Sequence, residues 1–273
     1  MTDEPGNGTP SRTSAYRPLA DGAFDSTELT RGPWDPSHQH AGPPISLAAR
    51  ALVRAAQALG MGHLARLTAN LLRPIPIAPL EVETALDYGG RNVAHLSARL
   101  ASGGRELARF TAVAQREVDI HVPQGLAGHP PPQAPAPPES SAGIEFPHRT
   151  GATGYHDLVE LRTAEGTLCR GPCAIWFRLR HGLVEGETPD PAERVAVAAD
   201  SGNGISAVLD FRRYTFVNSD LTINWLRPAQ GEWICIDAHT FVGAAGGGLA
   251  EARIFDANGL IGRSTQSLVV RAR

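Results

Sequence analysis

The sequence predicts an α+β chain made of two copies of one unit, each a helix wrapped by an antiparallel sheet. Three observations predict it. A stretch is written twice: Leu67 to Pro74 reads L-T-A-N-L-L-R-P, and 154 positions later Leu221 to Pro228 reads L-T-I-N-W-L-R-P. The same offset carries Gly89 onto Gly243, Ala98 onto Ala252, Arg99 onto Arg253, Arg109 onto Arg263 and Thr111 onto Thr265. Solenoid repeats recur every ~20–50 residues, so a repeat this long marks a duplicated domain. Next, each half offers one helical segment. Last, each half then alternates apolar and polar residues over long runs, the period of half-buried strands. One helix cannot cover both faces of such a sheet. The sheet therefore wraps around its helix, and the two sheets join edge to edge.

The elements follow in order. Tyr16 to Glu28 supplies opening strands. Ile45, Ala49, Leu52, Ala56 and Leu59 fall at helical spacing, and Gly60 stops that helix. Leu80, Val82, Thr84 and Leu86 alternate with Glu81, Glu83, Ala85 and Asp87, and a second strand runs through Ala94, Leu96, Ala98 and Leu100. Ser102, Gly103 and Gly104 turn the chain into a strand from Leu107 to Val118. Residues 119–149 read as a proline-rich linker, an extended spacer between the copies. His156 to Arg180 opens the second copy, and Gly204 to Phe211 is its shorter helix. Strands follow at Tyr214 to Ser219, Leu221 to Leu226, Trp233 to Val242 and Leu249 to Phe255. The turn Asp256 to Gly259 then leads into a closing strand, Ile261 to Val270. The expected boundaries are thus an unstructured N-terminus over 1–15, one copy over 16–118 and the other over 150–273.

Composition narrows the chemistry. The chain has 273 residues, 42% hydrophobic and 19% charged, and a net charge of −3, so no basic field points to nucleic acid. All 25 basic residues are arginine, which excludes a lysine nucleophile or Schiff base. Cys169, Cys173 and Cys235 are too few for a disulfide framework, and Cys169 and Cys173 lack partners for a zinc site. They read as buried thiols. No apolar run is long enough to span a bilayer, and residues 1–14 have no signal-peptide core, so a cytoplasmic protein without metal or cofactor is expected.

A duplicated helix-and-sheet unit resembles the double-hotdog proteins. The motifs narrow the resemblance. Phe216 to Thr222, Arg227-Pro228, Gly231 to Trp233, Asp256 to Gly259 and Ser264 to Ser267 resemble the C-terminal half of the acyl-CoA thioesterase II family. His40 to Ser46 and Gly90-Arg91 resemble its N-terminal half. The resemblance implies a tandem (double) hotdog with two long helices. It also implies hydrolysis of an acyl-CoA or other acyl thioester, and further association into a homo-oligomer. In that family an aspartate, a threonine and a glutamine hold the attacking water. The aspartate falls on Asp200 and the glutamine on Gln266. The threonine position holds Asn218, an amide that hydrogen-bonds water without offering a hydroxyl. A non-catalytic acyl-ligand-binding or scaffold protein of the same fold is the alternative that Asn218 favours.

The residues carry readings of their own. His40 to Ser46 aligns with Asp200 to Ser206, sharing glycine, isoleucine and serine. Both segments are expected to start a helix, whose free N–H groups suit a thioester oxyanion. Asp200 then reads either as that helix's N-cap or as a catalytic carboxylate. His40 reads as a loop-packing residue or as one bordering the thioester. Gly42, Gly202 and Gly204 would let substrate approach the backbone. Gln266 shares a strand face with Leu268 and Val270, and the offset sets it against Ala112. That asymmetry places a single site in the second copy. Ser219 lacks the nucleophile-elbow pattern and is set aside.

Overall fold

The computed structural model describes residues 14–121, 132–146 and 151–273. Its first half runs β1 (Ser14–Pro18), β2 (Phe24–Ser26), α1 (Gly42–Ala58), β3 (His63–Leu71), β4 (Glu81–Gly89), β5 (Val93–Ser102) and β6 (Arg105–Gln115). Next come β7 (Ala142–Ile144), α2 (Tyr155–Leu158), β8 (Val159–Gly166), β9 (Cys173–Leu179), β10 (Gly182–Val184), α3 (Pro191–Ala199) and α4 (Gly202–Ile205). The chain closes with β11 (Tyr214–Asn218), β12 (Asp220–Trp225), β13 (Ile234–Val242), β14 (Gly247–Asp256) and β15 (Gly259–Ala272).

α1 forms where the apolar stripe predicts. Ile45, Ala49, Leu52 and Ala56 are buried, whereas Leu59, the last residue of the expected stripe, is the C-cap and is exposed; Gly60 leaves the helix at a left-handed φ of 70°. Full burial of Ile45 and of Leu52 contributes roughly 1.5–3 kcal/mol each. β3 to β6 wrap α1, and β13 and β9 pack on α3.

The two sheets are one. The strand order β4-β5-β6-β3-β12-β15-β14-β13-β9-β8-β7 is continuous, with β11 also pairing β15. The junction is the repeated segment itself: β3 pairs antiparallel with β12, Thr68 opposite Thr222. Those two threonines are equivalent under the offset of 154, so a pseudo-two-fold axis passes between them. Their hydroxyls hydrogen-bond across it at 3.1 Å. The offset also superimposes β4 on β13, β5 on β14 and β6 on β15. Arg73 and Arg227 each reach forward to the hairpin of their own copy, Arg73 to the Glu106 carbonyl at 2.8 Å and Arg227 to the Asp256 carboxylate at 2.6 and 2.7 Å.

Three expectations need correction. The second helix is not long and does not cover 204–211: α3 has 9 residues against 17 in α1. It starts earlier because Asp190 caps Ala192 N at 2.8 Å, Pro191 takes the first turn, and Glu193 closes the capping box. Residues 122–131 and 147–150 lie outside the described residues, but 132–146 is not a free spacer. Trp176 Nε1 donates to Ala136 O at 2.7 Å, Arg162 Nη1 to Pro138 O at 2.9 Å, and β7 adds to β8 as an edge strand. Residues 1–13 also lie outside the described residues, while Ser14 and Ala15, expected to be unstructured, already belong to β1. β1 pairs in parallel with β10, tying the start of the first copy to the second.

Candidate active site

The site forms where the two helices lie side by side and antiparallel. The start of α1 faces the end of α3: a Cβ on Gly42 would stand 2.7 Å from Val197 O. Farther along, Ser46 Oγ donates to Glu193 O at 3.0 Å, and Arg50 pairs with Glu187 at 2.5 Å. This crossing brings together two residues that the sequence treats as counterparts. His40 precedes α1 by two residues, and Asp200 ends α3 as its C-cap. His40 Nδ1 lies 3.0 Å from Asp200 Oδ2.

The surroundings of Asp200 are closely packed. Its side chain is only 3% exposed. Asn218, at the end of β11, donates through Nδ2 to Asp200 Oδ1 at 2.7 Å. His40 stacks on Tyr155, ring centroids 3.8 Å apart and 4° from parallel. The Tyr155 hydroxyl donates to Val197 O at 3.0 Å and meets Ser201 Oγ at 2.9 Å. Burial, with the nearby Asp200 charge, pushes the Tyr155 phenol well above its ordinary value. It therefore serves as a fixed hydroxyl and a flat support for the imidazole.

Gln266 is buried on the inner face of β15 with Leu268 and Val270. It grips the backbone of the α3–α4 turn rather than the carboxylate. Nε2 donates to Asp200 O at 3.1 Å, and Oε1 accepts from Asn203 N at 3.0 Å. A buried amide on an apolar strand face needs such partners. Gly202 makes room for it, because a Cβ there would meet Gln266 Oε1 at 3.3 Å.

His40, Asp200, Asn218 and Gly204 border a cavity of about 780 Å³. Trp34, Phe211 and Phe216 form an aromatic wall of it, with centroid separations of 5.6, 5.6 and 4.5 Å. Arg31, Arg73 and Arg273 also line it.

Of the residues singled out from sequence, Asp200, Asn218 and His40 come together at the cavity and Gln266 stands behind them. Gly42 and Gly202 do not line the cavity; Gly42 serves the helix crossing and Gly202 the seat of Gln266. Asp200 does not start a helix, since α3 precedes it. Several of the expected helix-start amides are not free. Pro43 and Pro44 have no N–H, Gly42 N points at His40 Nδ1 at 3.2 Å, and Asn203 N is held by Gln266.

Two family models match the chain. The acyl-CoA thioesterase N-terminal domain matches residues 30–115, and the acyl-CoA thioesterase C-terminal domain matches residues 128–270. The chain belongs to the acyl-CoA thioesterase family. No curated protein matches it. Among solved structures it is similar to a candidate thioesterase II of Thermobifida fusca YX, with 16% identity, TM-score 0.74, and 95% of this chain and 96% of that one covered. It is also similar to an acyl-CoA thioesterase II of Mycobacterium marinum, with 15% identity, TM-score 0.67 and coverage of 94% and 95%. A protein with a hotdog fold from Alicyclobacillus acidocaldarius shows 15% identity, TM-score 0.72 and coverage of 92% and 93%. At these identities the likeness shows the fold, and the fold is the hotdog.

Tyr155, His156 and Ser201 line the cavity without having been signalled by sequence, and Cys169, expected as a buried thiol, is half-buried and lines it too. Tyr155 and His156 sit in the four-residue α2, too short to show periodicity. Cys169 had one available signal, the adjoining Arg170-Gly171 turn; it adopts a left-handed φ of 60° and donates through Sγ to Gly204 O at 3.4 Å. No described helix is long and apolar enough to cross a membrane.

Proposed function

We propose that this chain hydrolyses an acyl-CoA thioester to free acid and CoA, with the attacking water activated at the Asp200 constellation. One observation carries the reading: a buried carboxylate, held by His40 and Asn218, stands in the wall of a cavity of about 780 Å³. That volume falls in the range of ligand sites, roughly 300–1,000 Å³. Thioester hydrolysis needs a positioned water, a group to accept its proton, and donors for the oxyanion. Asp200 supplies fixed negative charge, and Gln266 sets the backbone that carries it. Gly204, which lines the cavity without a side chain, lets the thioester approach the main chain. The aromatic wall of Trp34, Phe211 and Phe216 suits an acyl chain.

The test is a panel of acyl-CoA substrates from acetyl to palmitoyl, followed by release of free thiol. Turnover of at least one substrate supports the reading. Inertness of pure, folded protein to all of them contradicts it and favours the acyl-ligand-binding alternative, for which the direct Asn218 contact on Asp200 is the supporting observation. We also propose that the chain forms a homo-oligomer; light scattering at the chain mass of 28.9 kDa would reject that.

A further inference from the structure

We infer that His40 Nε2 takes the proton of the attacking water while Asp200 fixes and charges the imidazole. The base then comes from the first copy and its orienting carboxylate from the second. The inference takes its substrate from the thioesterase reading and its residue from the geometry of the pair.

Asp200 is poorly placed to act on water itself. Its side chain is 3% exposed, Oδ1 holds the Asn218 amide at 2.7 Å, and Oδ2 faces His40 Nδ1 at 3.0 Å. His40 is more open, 16% exposed, and it lines the cavity. Among the described residues no hydrogen-bond partner occupies its Nε2, and that atom is not a sealed orphan. The ring cannot swing away, because it lies flat on Tyr155. Tyr155 is tied in turn to Val197 O and Ser201 Oγ.

Tautomer chemistry sets the direction of the proton. A carboxylate without a proton only accepts hydrogen bonds, so in the pairing inferred here Nδ1 would carry the hydrogen and Nε2 would keep its lone pair. A competing role exists on the same atom. Gly42 N–H points at Nδ1 as a hydrogen-bond donor at 3.2 Å, the geometry of a side-chain cap on α1. A cap needs the Nδ1 lone pair, whereas a base at Nε2 needs the Nδ1 hydrogen. The two roles therefore require opposite tautomers.

The reaction balances without any further reagent. The oxygen of water bonds to the thioester carbon as Nε2 takes one of its protons. The tetrahedral intermediate collapses, the C–S bond breaks, and its electron pair stays on sulfur. The proton on Nε2 passes to that thiolate, which restores the neutral imidazole and releases acid and thiol.

Two readouts on the full-length chain test the inference. Nitrogen-15 NMR, with the His40 signals assigned by their loss in His40→Gln, should show the neutral ring as the Nδ1–H tautomer. The Nε2–H tautomer would overturn the inference whether or not any thioester is cleaved. On an acyl-CoA that the parent hydrolyses, His40→Gln should lower kcat by about 10²-fold or more. KM should stay within a few-fold, and added imidazole should restore part of the rate. A His40→Gln protein with kcat within threefold of the parent would also overturn it. A parent inert to the whole acyl-CoA panel removes the thioesterase reading instead, and the tautomer still decides the pair.

Discussion

The two ends of the α1–α3 pair are built from matching pieces, yet they are not alike. At one end the start of α1 meets the end of α3 beside Leu71 and Pro74, around the cavity of about 780 Å³. At the other the start of α3 meets the end of α1 beside Trp225 and Pro228, around only about 200 Å³. The offset of 154 makes Trp225 the counterpart of Leu71 and Pro228 that of Pro74. A bulkier indole thus stands at the small end where the large end has a leucine. Polar groups differ as well. At the small end Asp190 is used as the cap of α3, and Ala112 occupies the place that Gln266 holds in the second copy. Duplication thus produced two pockets of similar ancestry. At the large one a buried acid faces an imidazole, His40 Nδ1 lying 3.0 Å from Asp200 Oδ2.

The sharpest way to break that contrast is at Asp200. Asp200→Asn should lower kcat on acyl-CoA by on the order of 10²-fold or more while the protein stays folded. Combined with Gln266→Ala, the loss should fall well short of the product of the single effects, as for groups acting as a unit. Parental turnover in folded Asp200→Asn would reduce Asp200 to a helix cap.

Gly42→Ala tests the crossing that brings the pair together. Its new Cβ would meet Val197 O at 2.7 Å, so the helices must part. Overpacking of this kind costs about 1–3 kcal/mol. Thermal melting should fall, and turnover should drop roughly tenfold as His40 shifts from Asp200. A variant equal to the parent in both would separate the crossing from the site.

Glu193 gives a pH test at the small end. Burial pushes its carboxyl up from 4.5 to about 7. The native state therefore binds more protons than the unfolded chain between those values, and its contribution to stability falls as pH rises through that window. Glu193→Gln should lessen the loss of melting temperature between pH 5 and pH 8. Parallel curves for parent and variant would contradict it.

The smallest effects on turnover belong to two substitutions. Trp225→Leu should cost about 1–3 kcal/mol in stability by opening the small end, with kcat unchanged. A change in kcat would mean that the small end takes part in catalysis. Asn218→Thr, which restores the residue of the thioesterase II pattern, should keep or modestly raise activity. A large loss would show that the amide on Asp200 Oδ1 is required.

Much of the fold was legible because strands and hairpins are local signals. The alternation in Val82 to Leu86 and in Ala94 to Leu100, and the glycines at 103, 104 and 259, fixed β4, β5 and the turns around them. The buried side of Gln266 followed from the same period of two. The second helix was misplaced although its signal was present. Asp190, Pro191 and Glu193 spell a capping box, but α3 is short, and the glycines at 202 and 204 drew attention to the segment after it. In the glycine pattern alone, His40 and Asp200 look like equivalents. They are partners, because antiparallel helices bring the start of one to the end of the other, and no offset along a sequence reveals that. Tyr155 stacks on His40 from 115 residues away, a contact set by tertiary packing alone.

Counting sites shows whether the duplicated chain has one working end. Isothermal titration of the full-length protein with a non-hydrolysable thioether analogue of an acyl-CoA that it turns over should give one bound ligand per chain. Two ligands per chain would contradict the account, and so would stoichiometric binding lost in Trp225→Leu but kept when the large cavity is blocked by Gly204→Trp.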